Sequence, residues 1–210
     1  IFGFYKNVQG KIIFNNQNIL EKSIHDIRTL GISYIPEDRI KTGVAKDVTI
    51  WENLVSDRID SKELKQKGLL NGKKIRDMAK KLIADFAILC KNEDQQAGML
   101  SGGNMQKVVV AREFSANPEL LIANQPTRGI DVGANEFIWK KIVEQRDVGK
   151  GILLISADLN EVMELSDSIL VMCDGEPAAY FENSKDITEY ELGMYMLGIK
   201  KQTEQERRGA

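Results

Sequence analysis

Two short apolar runs constrain the fold more than any other feature. "ELLIA" at 119–123 and "GILLIS" at 151–156 are too short for buried helices and rich in Leu and Ile, the pattern of strands covered on both faces. A helical pattern over about 104–115 precedes the first run, another over about 134–148 separates the two, and a short one near 159–165 leads to a third run, "SILVMC", at 168–173. Helix and strand in alternation predict a mainly parallel sheet covered by helices, an α/β fold. With 210 residues, 42% of them hydrophobic, the chain can bury one sizeable core or two small ones.

The first hundred residues follow a different rhythm. "GKIIF" (10–14), the turn "NNQN" and "GISYI" (31–35) read as short strands between bends. From Trp51 to about Gly98 the spacing of Ile75, Met78, Ala79, Leu82, Ile83, Phe86 and Cys90 marks one buried helix face. Near the end, Thr188 and Glu191 stand in capping-box register before a short helix, and "KQTEQERRGA" reads as a solvated tail. The sequence opens at Ile1 without Met, in what reads as a helix end or loop, and we expect a fragment of a longer polypeptide.

Charge and composition exclude several functions. Lys and Arg number 29 against 31 Asp and Glu, a net charge of -2, so no basic field exists to attract nucleic acid. No apolar run approaches the ~20 residues of a membrane span, and no signal pattern is present. Any membrane association must therefore come through another protein. Cys90 and Cys173 lie far apart and His25 is the single histidine, so no zinc or other metal site is expected and a reducing compartment suits the chain. The cysteines read as core filler, His25 as an exposed loop residue, and Met194 and Met196 as helix packing.

"LSGGNMQK", Leu100 to Lys107, is the most informative octapeptide. Ser101, Gly102 and Gly103 open a helix, where unpaired backbone N–H groups and the helix dipole favour a phosphate. Ser-Gly-Gly alone is a weak signal. Its context is stronger: an Arg-containing helix, an apolar strand, "QPTRGIDVGA", then a second apolar strand ending at Ser156. That order resembles the nucleotide-binding domain of ATP-binding cassette (ABC) transporters, a P-loop NTPase fold, along essentially the whole chain. "YIPEDR" lies where that family has its Q-loop, which puts Glu37 at the Q-loop position, and Asp131 matches the D-loop aspartate. More narrowly, "IPEDR", "ENLV", "LSGGNMQK", "QPTRGIDVGA" and "ELGMYMLG" resemble the second, C-terminal cassette of double-cassette subunits that energise simple-sugar and nucleoside importers, the nucleoside branch above all.

The resemblance implies four regions: 1–50, a β-rich lead-in with the Q-loop; 51–99, an α-helical subdomain; 100–175, a RecA-like core with signature, Walker B strand and D-loop; and 176–210, a C-terminal strand, helix and tail. It also implies ATP and Mg²⁺ in the complete assembly, a second cassette and permease subunits as partners, a solute-binding protein indirectly, and a peripheral place on the cytoplasmic face of the plasma membrane. The phosphate-binding loop, Gly-x-x-x-x-Gly-Lys-Ser/Thr, occurs nowhere in the chain and is expected upstream of Ile1. Its strand, expected beside the Walker B strand, would leave one flank of "LLIA" bare and prone to self-association.

Three positions depart from a working site of this family. Asn124 stands where an Asp supports the metal, Gln125 where a Glu polarises the attacking water, and Ala157 where a switch His meets the γ-phosphate. An amide carries no charge for Mg²⁺ and takes no proton. The cassette's own site is therefore expected to hydrolyse poorly or not at all, and the fragment alone to be inactive. In the family each ATP lies between the phosphate loop of one cassette and the signature of the other, so Ser101, Gly102, Gly103 and Gln106 are expected to serve the partner's ATP, with Asp131 reaching across the interface. Glu37 reads either as a permease-coupling residue or as a surface acid beside Arg39, and Arg128 either as a structural partner of Asp131 or as a functional residue. Two other readings stay open: a regulatory or structural pseudo-ATPase, and a non-transport cassette ATPase acting on ribosomes or chromosomes.

Overall fold

The computed structural model describes residues 8–66 and 68–208. The opening segment that reads as a helix end or loop lies outside them. The chain divides into two compact units, the first ending at Ile155 and the second starting at Ser156.

The first unit begins with a two-strand hairpin, β1 (Ile13–Phe14) and β2 (Gln17–Asn18), turned through Asn15 and Asn16 at positive φ. Helix α1 (Ile24–Thr29) follows, capped by Ser23, and then strand β3 (Ile32–Ile35). A π-helical turn over Arg39–Gly43 leads to α2 (Ile50–Val55), which opens with a full capping box of Thr49 and Glu52. Strands β4 (Lys65–Gln66) and β5 (Leu69–Leu70) pair antiparallel before α3 (Gly72–Asp85). Then come α4 (Gly102–Ser115), β6 (Leu120–Asn124), α5 (Val132–Asp147) and β7 (Gly151–Ile155).

The sheet of this unit is parallel, in the order β3-β6-β7. Strand β6 is therefore central, with Ile122 facing Tyr34 on one side and Leu153 on the other. This corrects the expectation of a bare flank on "LLIA": β3 fills the place that the composition of β6 left unspecified. Among the described residues the open edges belong to β3 and β7, and on β7 Leu153 and Ile155 are 41% and 44% exposed.

Helix α4 is buried almost all round, which explains its run of Val108, Val109, Val110 and Ala111, each 0% exposed. A charged group sits inside this environment. Glu113 is fully buried and accepts from both Nη atoms of Arg28 (3.0 and 3.2 Å), from Arg112 Nε (2.8 Å) and from the Tyr34 backbone N–H (3.3 Å). A buried carboxylate is tolerated when each lone pair is met in this way. The network ties α1 and β3 to α4, and Arg58 closes the far end of α4 by donating to the Ser115 and Arg112 carbonyls at 2.6 Å each.

Helix α3 buries Ile75, Ala79 and Leu82 as its periodicity predicts, and Phe86 caps it. The apolar stripe does not run on to Cys90. Ala87 turns left-handed (φ 46°) and takes the chain out of the helix, so Cys90 is half-buried in the following loop, with its thiol pushed up by burial.

The second unit contains α6 (Leu159–Leu165), β8 (Ile169–Cys173), β9 (Glu176–Phe181), α7 (Glu189–Met196) and α8 (Glu204–Arg208). Strand β8, expected to extend the alternating parallel pattern, instead forms an antiparallel hairpin with β9 through Asp174 and Gly175, both at positive φ. Ile169, Val171, Ala178, Ala179, Ile187 and Leu192 form its core. Thr188 and Glu191 make the predicted capping box.

The tail is not simply solvated. Gln202 donates its N–H to the Ala178 carbonyl (2.9 Å) and its side-chain oxygen accepts from the Tyr180 N–H (2.8 Å), so it extends the ladder of β9. Thr203 and Glu206 then cap α8 reciprocally. Cys173 is half-buried, His25 is exposed as expected but on helix α1 rather than in a loop, Met194 is half-buried and Met196 is 36% exposed.

Candidate functional site: the start of helix α4 and the end of strand β6

Ser101 is the N-cap of α4. Its Oγ accepts from the Asn104 backbone N–H (3.3 Å) and from Asn104 Nδ2 (3.0 Å), while Asn104 Oδ1 accepts from the Leu89 N–H (2.8 Å). The helix therefore begins two residues before the predicted start, because capping brings Gly102 and Gly103 into its first turn. The first backbone bond of the helix runs from Met105 N–H to Ser101 O, so the amides of Gly102 and Gly103 lie ahead of the ladder. With two donors on its oxygen, the Ser101 hydroxyl has its own proton available for an acceptor outside the chain.

Both glycines are required by close approach. A Cβ on Gly102 would lie 3.0 Å from Arg39 Nη2, and one on Gly103 would lie 2.8 Å from Asp131 Oδ2 and 3.1 Å from Ala134 Cβ. Asp131 is the N-cap of α5, accepting from the Ala134 N–H at 3.0 Å. The starts of α4 and α5 thus meet with the Asp131 carboxylate and the Ala134 methyl against the bare face of Gly103. Gln106 sits one turn further along α4, 2% exposed, and donates to the Pro126 carbonyl at 2.7 Å.

The end of β6 is built differently. Asn124 is half-buried and its Nδ2 lies 3.4 Å from the Tyr34 hydroxyl. Gln125, also half-buried, adopts left-handed backbone (φ 51°) and gives its N–H to the Ile155 carbonyl at 2.7 Å. This end of the strand presents two neutral amides and no carboxylate, a poor donor set for Mg²⁺, which is usually held through one or two carboxylates together with substrate phosphates. The α4 start does fit a phosphate: a hydroxyl proton, first-turn amides and the positive end of a helix dipole converge there. Ala157 belongs to the second unit, where it is exposed.

The segment after β3 closes over these loops. Asp38 caps the π-helical turn, and the Lys41 backbone N–H, more than that of Ile40, holds its carboxyl below the ordinary aspartate range. Glu37 pairs with Arg128, so Arg128 is not the partner of Asp131 that its place in the loop suggested. The carboxylate of Asp131 is already turned back to cap its own helix. Arg39 donates to the Arg128 carbonyl (2.7 Å) and the Gly129 carbonyl (3.0 Å). Sequence reasoning placed Arg39 only as a neighbour of Glu37; its partners lie about ninety positions away, and no local spacing reveals them.

Comparison with known proteins agrees with this geometry. A model of the ABC transporter family matches residues 1–128 of the chain. The chain belongs to the ABC transporter family. Among curated ABC proteins, the guanosine import ATP-binding protein NupO of Bacillus subtilis is 41% identical over 198 residues, 94% of this chain and 39% of that protein. The nucleoside import ATP-binding protein NupA of Lactococcus lactis is 37% identical over 94% of this chain and 39% of its own length. The chain therefore spans about two fifths of these relatives. Among solved ABC structures, the ATP-binding cassette MJ1267 superposes with a TM-score of 0.74 at 26% identity, covering 95% of this chain and 79% of that one. A dimeric cassette in a post-hydrolysis state, bound to ADP and phosphate, shares the fold at 21% identity and a TM-score of 0.68. The ABC fold, with its parallel sheet and helical part, is thus established for this chain. No helix among the described residues is long and apolar enough to cross a membrane.

Proposed function

We propose that the chain is the C-terminal cassette portion of the ATPase subunit of a nucleoside or simple-sugar importer, and that it acts by completing the ATP site of a partner cassette. One observation carries this reading. The start of α4 keeps a hydroxyl proton and first-turn amides at an exposed serine, while the end of β6 has only amides, with Asn124 beside the Tyr34 hydroxyl and the Gln125 backbone tied to β7. One surface is equipped to meet a phosphate, and the other is not equipped to activate water. The functions of the relatives, guanosine and nucleoside import, support the substrate class.

Each residue has a distinct part in this scheme. The Ser101 hydroxyl would donate a hydrogen bond to a phosphate oxygen on the partner's ATP, and the Gly102 and Gly103 end of α4 would supply the helix dipole, electrostatic help that is strongest where water is excluded. Gln106 supports the site from within by holding the Pro126 carbonyl, and Asp131 faces the cassette interface beside Gly103. Asn124, Gln125 and Ala157 are the degenerate Walker B and switch positions. ATP when bound supplies the transferred phosphoryl group, and its Mg²⁺ is held by the partner cassette. Glu37, at the Q-loop position, links to the permease, through which the subunit reaches the cytoplasmic face of the membrane. Residues 51–99 act as the helical subdomain and 100–175 as the RecA-like core, with 1–50 and 176–210 as flanking regions.

The test is solute uptake and phosphate release by the assembled importer. Ser101→Arg puts bulk and a misaligned charge where a phosphate oxygen must fit, and we expect it to abolish both. Asn124→Asp with Gln125→Glu returns charge to a site still lacking its switch histidine, so both rates should stay within about twofold, far from the ~10²–10⁴-fold typical of general-base catalysis. Normal uptake by Ser101→Arg would remove the shared-site reading and leave a regulatory pseudo-ATPase.

A further inference from the structure

The π-helical turn 39–43 is strapped to its surroundings at both ends. At its end, the Gly43 carbonyl accepts from Arg112 Nη1 of α4 (2.9 Å), and a Cβ on Gly43 would lie 3.1 Å from Val109. At its start, the Arg39 guanidinium forks onto the two successive carbonyls of Arg128 and Gly129 while resting on Gly102. One planar group thus touches the first residue of α4 and the loop that leads to Asp131. Two N–H groups spread in one plane can meet two neighbouring carbonyls at once, a geometry that a lysine ammonium does not reproduce.

Two further features separate this fork from ordinary packing. Arg39 Nε is buried and has no hydrogen-bond partner among the described residues. An unmet buried donor is a cost to folding, and the side chain keeps its place through its two Nη groups. The turn is also a π-helix, a rare form that is frequent at functional sites. The neighbouring Glu37–Arg128 pair joins the same two segments, but both side chains are largely exposed, at 49% and 63%, so that pair holds little by itself.

We propose that Arg39 is a positioning residue, which fixes the signature end of α4 and the loop 126–131 to each other so that Ser101 meets the partner's ATP, and the loop carrying Asp131 meets the partner cassette, in one alignment. The inference rests on the shared-site reading above. Arg39 acts through the backbone it holds, and it carries the position of Glu37, two residues before it, directly to both nucleotide-facing segments. A shift of the segment around Glu37 moves Arg39 and, with it, the carbonyls of 128 and 129.

The experiment measures ATP hydrolysis by the assembled importer carrying Arg39→Ala, Arg39→Lys, Arg39→Gln, Ser101→Ala, or Arg39→Ala with Ser101→Ala. Misplacing a phosphate-binding group should lower kcat about tenfold to a hundredfold in Arg39→Ala while KM for ATP changes by less than about twofold. Lys restores charge without the fork and should recover little; Gln, which can reach a carbonyl without charge, should fall between Ala and wild type. If Arg39→Ala fails to assemble, the ordering of Gln above Lys decides the question alone. In the double variant the two losses should be clearly less than additive, because the Ser101 hydroxyl is part of what Arg39 aligns. Additive losses, full recovery by Lys, or an unchanged kcat in Arg39→Ala would overturn the role of Arg39 while leaving the shared site standing. A silent Ser101→Ala would overturn both.

Discussion

A hydrogen bond from Gln106 to the Pro126 carbonyl joins the start of α4 to the loop after β6, yet the two regions have opposite characters. At α4 the polar groups are held from behind: Asn104 props the Ser101 oxygen and itself takes the Leu89 N–H, which leaves the hydroxyl proton for something outside the chain. At β6 they are directed inward, Asn124 toward Tyr34 and the Gln125 backbone onto Ile155. The difference shows that the shape of this loop does not rest on charge at positions 124 and 125. Pro126, Arg128 and Gly129 are each gripped through a carbonyl, by Gln106 and by both arms of Arg39, and the Asp131 cap fixes the far end. Backbone contacts of this kind do not depend on whether residues 124 and 125 are acids or amides.

The comparison is broken most severely at Gly103. A methyl group there would sit 2.8 Å from Asp131 Oδ2, and the atom that must yield is the cap of α5. Overpacking costs about 1–3 kcal/mol and a lost cap about 1 kcal/mol, so Gly103→Ala should destabilise the chain by roughly 2–4 kcal/mol in urea unfolding. Turnover by the assembled importer should fall with it, because Asp131 is displaced. Gly72, the first residue of α3, has nothing within 4 Å of its would-be Cβ. Gly72→Ala should therefore be neutral or slightly stabilising, and equal losses at the two glycines would deny any special fit at Gly103.

A smaller effect is expected where the two regions are joined. Gln106→Leu keeps the volume and removes the donor to Pro126, leaving a buried carbonyl unmet at a cost of about 1–3 kcal/mol. The loss should appear in stability and in kcat together, since the loop beyond Pro126 carries Asp131. If stability drops while turnover is unchanged, Gln106 serves only packing, and the two regions are not coupled through it.

Sequence patterning predicted elements whose cause is local and missed those whose cause is distant. Strands β6 and β7, the α3 stripe, and the Thr188 box follow from spacing within a few residues, although only β6 is covered on both faces as its apolar run predicts; β7, at the sheet edge, leaves Leu153 and Ile155 exposed. The Thr203–Glu206 box has the same local signature, Thr-x-x-Glu, and was legible, but the charged composition of the tail outweighed it. The pairing of β8 with β9 depended on Asp174–Gly175, a hairpin signal set against the rhythm of alternating helix and strand. The identity of β6's second neighbour and the partners of Arg28, Arg39 and Arg128 lay beyond any window. Long flexible cations can reach many carboxylates and carbonyls, and only the folded chain selects among them. In the candidate site the residue types at 101–103 and 124–125 were readable, whereas the strut that sets their mutual geometry was not.

The finest test concerns Gln125, whose φ of 51° places a side chain in the left-handed region. A Cβ there costs roughly 1–2 kcal/mol. Glycine relieves that cost but loses about 0.5–1 kcal/mol through its freer unfolded chain, so Gln125→Gly should leave stability within about 1 kcal/mol of wild type. Gln125→Val should lose about 1–2 kcal/mol, because branching at Cβ worsens the same crowding. Gln125→Glu has the same backbone requirement as the natural residue and a half-buried side chain, so its unfolding midpoint should shift by no more than about 0.5 kcal/mol. That last value sharpens the contrast between the two regions. If the acid fits as well as the amide, the fold does not exclude it, and the amide at 125 is a feature of the chemistry rather than of packing. A loss of more than about 2 kcal/mol on Gln125→Glu, measured by urea unfolding at neutral pH, would show that burial itself selects against the charge, and the uncharged end of β6 would then be a structural requirement.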